Sequence, residues 1–164
     1  MNNYQRYLPR LTQSLALLTL VAGTTAFAQT TRQEHVHQMA HSVMPFEVSK
    51  TVHIFKMTEA GGVQRVIAKD PNASDQIALI QQHLQHEAEK FQQGDYADPA
   101  RLHGADMPGL KELRAGASRI KVSYAALPAG GQITFETTDL HLLTALHRWF
   151  GAQLSEHGAD ARSE

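Results

Sequence analysis

Phe46-Glu47-Val48-Ser49-Lys50-Thr51-Val52-His53-Ile54-Phe55-Lys56-Met57 has the composition of a β-strand, rich in β-branched and aromatic residues. Strict alternation puts Val52, Ile54 and Lys56 on one face and Thr51, His53, Phe55 and Met57 on the other. Glu59-Ala60-Gly61-Gly62 is a hairpin turn signal, and Val63 to Lys69 reads as the return strand. Asp70-Pro71-Asn72-Ala73-Ser74 then turns into a helix that Ser74 or Asp75 can cap. Ile77, Ile80, Leu84, Ala88 and Phe91 follow at spacings of three and four, a single apolar helical stripe that ends at Gly94.

The same order returns further on. Ile120–Tyr124 alternates as a strand, Leu127-Pro128-Ala129-Gly130-Gly131 turns, and Gln132–Thr137 alternates back. Thr138 or Asp139 caps a last helix whose Leu142, Leu143, Leu146, Trp149, Phe150 and Leu154 form a wide apolar face. Pro99 and Pro108 punctuate the linker between the halves. The string His103-Gly104-Ala105-Asp106 recurs as His157-Gly158-Ala159-Asp160, each after a helical segment. Two weakly similar ββα units are expected to share one four-stranded antiparallel sheet. The two amphipathic helices need one apolar surface, and one face of that sheet supplies it. The predicted class is α+β, ββα-ββα.

Around this core, residues 1–28 have the pattern of an export signal. Arg6 and Arg10 give the basic start, Leu15–Val21 the apolar run, and Ala26-Phe27-Ala28 the small-residue cleavage site. Cleavage after Ala28 implies a periplasmic or secreted protein with no membrane segment afterwards. Residues 29–44 read as a flexible His/Met-rich arm, 45–159 as a single α+β domain, and 160–164 as a frayed tail. Removing Arg6 and Arg10 leaves thirteen basic against sixteen acidic residues, a net charge of −3. That balance argues against nucleic acid as a partner. Ten histidines make the charge pH-sensitive, since imidazoles become cationic below about pH 6.5.

The chain has ten histidines and no cysteine. In an oxidising compartment its special chemistry therefore falls to imidazole and thioether, the ligands that suit copper best. His35, His37, Met39, His41 and Met44 on the arm can wrap an ion without a preformed fold. In the domain, His103 and His157 lie in the repeated string, and Met107, four residues after His103, adds a soft ligand. The Gly of each string is suited to end a helix, and its Asp to orient the imidazole. His157 falls near the centre of the last helix's apolar face, with His147 on its flank and His141 opposite. His53 becomes a core histidine if its strand face is the covered one. His83 and Glu87 form a one-turn pair suited to acid/base work, though such pairs are commonly surface pairs worth little. His86 points away. There is no HExxH, CxxC, CxxCH, Walker loop or GxSxG, and so no haem, nucleotide or flavin signal.

Met44-Pro45-Phe46, Thr51-Val52-His53-Ile54-Phe55, His103-Gly104-Ala105-Asp106-Met107-Pro108-Gly109-Leu110 and Leu146-His147-Arg148-Trp149-Phe150-Gly151-Ala152-Gln153 together resemble a family of small exported bacterial proteins of uncharacterised function. The resemblance covers most of residues 41–161. Members are sometimes labelled aspartate carbamoyltransferase, but the Ser-Thr-Arg-Thr phosphate loop of that enzyme is missing here. The resemblance implies one exported domain and draws attention to His53, His103, Met107, His147 and His157, without a mechanism.

Three functions follow as expectations. The first is a periplasmic metal-binding protein, copper preferred with zinc or nickel next, that buffers or sequesters the ion and is more a binder than an enzyme. The second is a non-enzymatic small-molecule-binding or dimeric interaction module of the cell envelope, monomer or homodimer. The third is an enzyme using histidine and carboxylate.

Overall fold

Strand β1 (Thr51–Thr58) and strand β2 (Gly61–Ala68) form the antiparallel hairpin that anchors the molecule, His53 opposite Val66 and Phe55 opposite Gln64. The computed structural model describes residues 27, 29 and 31–164. Apart from Phe27, the segment expected as an export signal lies outside the described residues. No helix among the described residues is long and apolar enough to cross a membrane.

Among the described residues, five helices and one mixed five-stranded sheet make an α+β fold. Helix α1 spans 31–39, α2 is Ser74–Gln92, α3 Ala97–His103, α4 Leu110–Gly116 and α5 Leu140–His157. Strands β3 (Lys121–Leu127) and β4 (Gly130–Glu136) form the second hairpin, and β5 is Ala161–Ser163. The sheet order is β3-β4-β2-β1-β5. The two hairpins join through β2 and β4, antiparallel, from Gly61 opposite Glu136 to Ile67 opposite Gly130. Helix α2 packs on β3 and β4, while α5 packs on β1, β2 and β5, so each long helix lies mainly over the other hairpin's strands.

The differences from the sequence reading have physical causes. The sheet has five strands, not four, because Ala161–Ser163 pairs in parallel with the free edge of β1. The expected frayed tail is held there by Glu164 N–H donating to the Phe55 carbonyl and by the Arg65–Glu164 ion pair. The expected arm is helical over 31–39. Val36, Ala40 and Met44, four residues apart, all bury against the domain. Residues Val48–Lys50 form a 3₁₀ turn, so β1 starts at Thr51 rather than Phe46.

The paired glycines lie inside the strands rather than in the turns. A Cβ on Gly130 would stand 2.0 Å from the Val66 carbonyl oxygen, so the junction of the two hairpins demands a residue without one.

The core lies between the sheet's inner face and the long helices. Trp149 is fully buried, with edge contacts to Phe91 (5.6 Å), Tyr96 (5.6 Å) and Phe135 (5.8 Å). Asp139 caps α5, its Oδ1 accepting from the backbone N–H of His141 and Leu142. The other sheet face carries Val52, Lys56, Arg65, Gln132 and Thr134, all half-buried and mixed in polarity.

Candidate functional site

The inner face of β1 is the covered one, so His53 is a core residue only 2 % exposed. His157 comes to it from the last residue of α5, and His103 from the last residue of α3. Both helices end at a glycine of positive φ, Gly104 at 98° and Gly158 at 56°. The repeated string thus brings two helix ends, each carrying a histidine, to one place. The His53 and His157 rings stack with centroids 4.5 Å apart, and His103 meets His157 edge-on at 5.1 Å. All three are buried.

The carboxylate that orients His103 is Glu156, not the Asp of the string. The His103 Nδ1–H donates to Glu156 Oε2 at 2.8 Å, and Arg32 of α1 holds the other oxygen at 3.1 Å. Burial opposes charge on Glu156, but the His103 and Arg32 hydrogen bonds outweigh it and keep the carboxyl below its usual range. Asp106 is exposed, and Asp160 pairs with Lys69 instead.

His53 has no such partner. Both its ring nitrogens are buried and unbonded among the described residues. Burial, aided by the neighbouring His83 and His103, pushes its pKa down to about 3. His157 is held well below the ordinary histidine value by burial and by its ring neighbours His53 and His103.

A cavity of about 40 Å³ adjoins the three rings. Met44, Gln64, His83, Glu87 and Asp98 also line it. The His83 ring meets Phe46 edge-on at 5.6 Å, and burial pushes its pKa to about 4 despite the nearby Asp98. Glu87 is only 4 % exposed, so its pairing with His83 is not the surface pair that was one of its two sequence readings. Burial and hydrogen bonding with Asp98 raise its pKa to about 7, against the pull of Lys90. Asp98 is held low: burial works against this, but Lys90 and Glu87 prevail.

The other sequence candidates fall elsewhere. His35, His37 and His41 are exposed on and after α1, and Met39 is half-buried against the core. Met107 is buried in the apolar core and does not line the cavity. The His147 Nε2 lies 3.1 Å from the Thr58 carbonyl and 2.9 Å from that of Gly61, closing the β1–β2 turn. Glu156, Gln64 and Asp98 were not singled out from the sequence. Glu156 carried one usable sign, its place beside His157 in the last turn of an apolar-faced helix.

Among the described residues no group of three or more His, Asp or Glu side chains is set to hold a metal ion as it stands. Two ring pairs, His53–His157 at 4.5 Å and His103–His157 at 5.1 Å, nonetheless have the centroid spacing of rings that share an ion. Metal–nitrogen bonds of about 2.0–2.1 Å place the centres of two ligating rings roughly 5 Å apart. His53 and His157 stack at an interplanar angle of 23°, so binding requires rotation about the soft χ2 torsion. Comparisons with protein-family models, with curated proteins and with solved structures give no significant match.

Proposed function

We propose that this chain is a periplasmic or secreted metal-binding protein, copper preferred, that buffers or sequesters the ion at His53, His103 and His157. The observation that carries the reading is His53: a buried imidazole with both nitrogens unpartnered among the described residues, stacked on a second histidine that neighbours a third. An unpaired buried polar group costs about 1–3 kcal/mol, and coordination would remove that cost. Neutral imidazole is the metal-binding form, and burial keeps His53 and His157 neutral. The Glu156–His103 hydrogen bond has the form of the carboxylate–histidine pairs that orient metal ligands. Met44 brings a thioether to the same cavity and, without cysteine, tilts the donor set to copper ahead of zinc or nickel. Calorimetric titration with Cu(I), Cu(II) and Zn(II) tests this. One tight site is expected, lost in His53→Leu and kept in His35→Ala/His37→Ala. Binding no tighter than that of a scrambled histidine peptide would sink it.

A second reading, an enzyme, rests on Glu87, a buried acid whose raised pKa suits proton transfer in the same cavity. The interaction-module reading draws less support, because the uncovered sheet face mixes Lys56 and Arg65 with its apolar residues.

A further inference from the structure

We propose that the free edge of the sheet is a contact between two copies of this chain: their β3 strands pair antiparallel about a dyad at Ala125 and join the two sheets into one. The inference is independent of the metal reading, because β3 is the sheet edge remote from His53 on β1. The chain covers the opposite edge itself, by pairing Ala161–Ser163 with β1. Strand β3 pairs with β4 from Lys121 to Leu127 without a bulge. The Val122 N–H donates to Gln92 Oε1 at 2.8 Å, so Val122, Tyr124 and Ala126 turn their backbone groups away from β4. Two glutamines of α2 cap the ends of this edge. Gln92 also donates to the Ile120 carbonyl at 3.1 Å, and Gln81 donates to the Leu127 carbonyl at 3.0 Å. Between the caps, the outward backbone groups of Tyr124 and Ala126 have no partner among the described residues. Edge strands are ordinarily protected by lysine, proline or a bulge. Val122-Ser123-Tyr124-Ala125-Ala126-Leu127 has none of these, and Ser123, Ala125 and Ala126 are exposed.

A second copy fits the open stretch. With Ala125 on the dyad, Tyr124 of each copy exchanges hydrogen bonds with Ala126 of the other, and the Gln92 cap on Val122 stays in place. Lys121 falls opposite Ala129 of the other copy, so no like charges meet. Helix α2 packs on both β3 and β4. Neighbouring strands about 4.8 Å apart then bring the two α2 helices roughly 10 Å apart on the inner face, the packing distance of two helices. The side of α2 nearest the edge is the one that carries Gln81 and Gln92, and its other exposed residues at helical spacing are Ser74, Ala78 and Gln85. That stripe holds no charge, although α2 also carries Asp75, Glu87, Glu89 and Lys90. Depletion of charge at the centre is the compositional mark of an interface between chains. The sheet's edge, rather than its outer face of mixed polarity, therefore carries the contact.

Sedimentation equilibrium of the protein through the micromolar range tests this, and a reversible dimer is expected. Ala125→Lys and Ala125→Glu each set like charges opposite one another at the dyad and should weaken the dimer at least about tenfold. Mixed in equal amounts, the two variants should recover it, because a lysine of one copy then faces a glutamate of the other. Ala126→Pro removes an outward N–H, leaves the β3–β4 ladder intact and should weaken the dimer by a second route. Ala125 is exposed, so denaturant midpoints of its variants at low protein concentration should match that of wild type. A wild type that stays monomeric throughout the range would overturn the proposal. A dimer that survives both charge variants would place the contact elsewhere and overturn it equally. Variants that are monomeric alone and are not rescued by mixing would rule out a dyad at Ala125.

Discussion

His53 sits in the core at a cost. Its two ring nitrogens have no partner among the described residues, while leucine of similar size would fill the space with no polar atom. His53→Leu is therefore expected to raise the stability of the metal-free protein by about 1–2 kcal/mol, read as a higher denaturant midpoint, and to abolish metal binding at the proposed site. A lower midpoint would mean the imidazole is worth more to the fold than its surroundings suggest. At His103 the sign is opposite, since its ring is held by Glu156 at 2.8 Å. Glu156→Gln should weaken metal affinity about 10–100-fold by loosening that ring. Calorimetric titration of the variant checks this, and an unchanged affinity would remove Glu156 from the site. These roles were legible in part. His157 stood out by its place on an apolar helix face, and the repeated string paired it with His103. The carboxylate was misread as Asp106 or Asp160 because contact between residues 103 and 156 is a tertiary fact with no local signature. Of the two readings open for the His83–Glu87 pair, the surface pair fails at Glu87, which is buried, for a related reason. Its helix is amphipathic, but α3 and the segment around Met44 cover the flank that the stripe leaves polar.

At the scale of elements, the hairpins and long helices were legible because their signals are local: period-two alternation, a turn, a cap, then a period near 3.6. Strand order was not. The β2–β4 junction is made by residues far apart in sequence, and its trace is only that Gly61 and Gly130 tolerate no side chain where the strands meet. Helix α1 was missed although Val36, Ala40 and Met44 are spaced by four, since three exposed histidines dominate the segment. Strand β5 is too short for any alternation to show. His147 illustrates what an element needs from a residue that looked like a ligand. Its Nε2 closes the β1–β2 turn against two carbonyls. His147→Ala should cost about 1–2 kcal/mol in stability, as the loss of a half-buried hydrogen bond does. Metal affinity should stay unchanged. Chemical denaturation and calorimetry on the same variant separate the two effects, and a loss of affinity with stability intact would return His147 to the site.

For the whole molecule, the buried histidines set the response to acid. His53 titrates at about 3 and His83 at about 4 in the folded protein, His157 lies well below 6.5, and each is near 6.5 in the unfolded chain. Above pH 6.5 both states are neutral at these positions, and the stability they permit is fully present. Below it the unfolded chain takes up protons that the folded sites refuse, so stability falls as pH falls, by up to about 1.4 kcal/mol per pH unit for each histidine. Glu87 has the opposite sign. Its folded pKa of about 7 lies above the ordinary 4.5, so the folded state holds an extra proton between those values and gains stability on acidification. Three histidines against one carboxyl leave a net loss approaching about 3 kcal/mol per unit near pH 5. Total stabilities of about 5–15 kcal/mol are exhausted over a few such units, so the metal-free protein should unfold cooperatively on acidification between about pH 6 and 4. Denaturant midpoints measured at half-unit steps through that range check it. His53→Leu removes one of the three protons, and its slope should be shallower by roughly a third to a half. A midpoint that is flat from pH 6.5 to 4.5 in wild type would mean that these imidazoles are protonated in the folded state, and with it would go the premise that the centre offers neutral nitrogen to an ion.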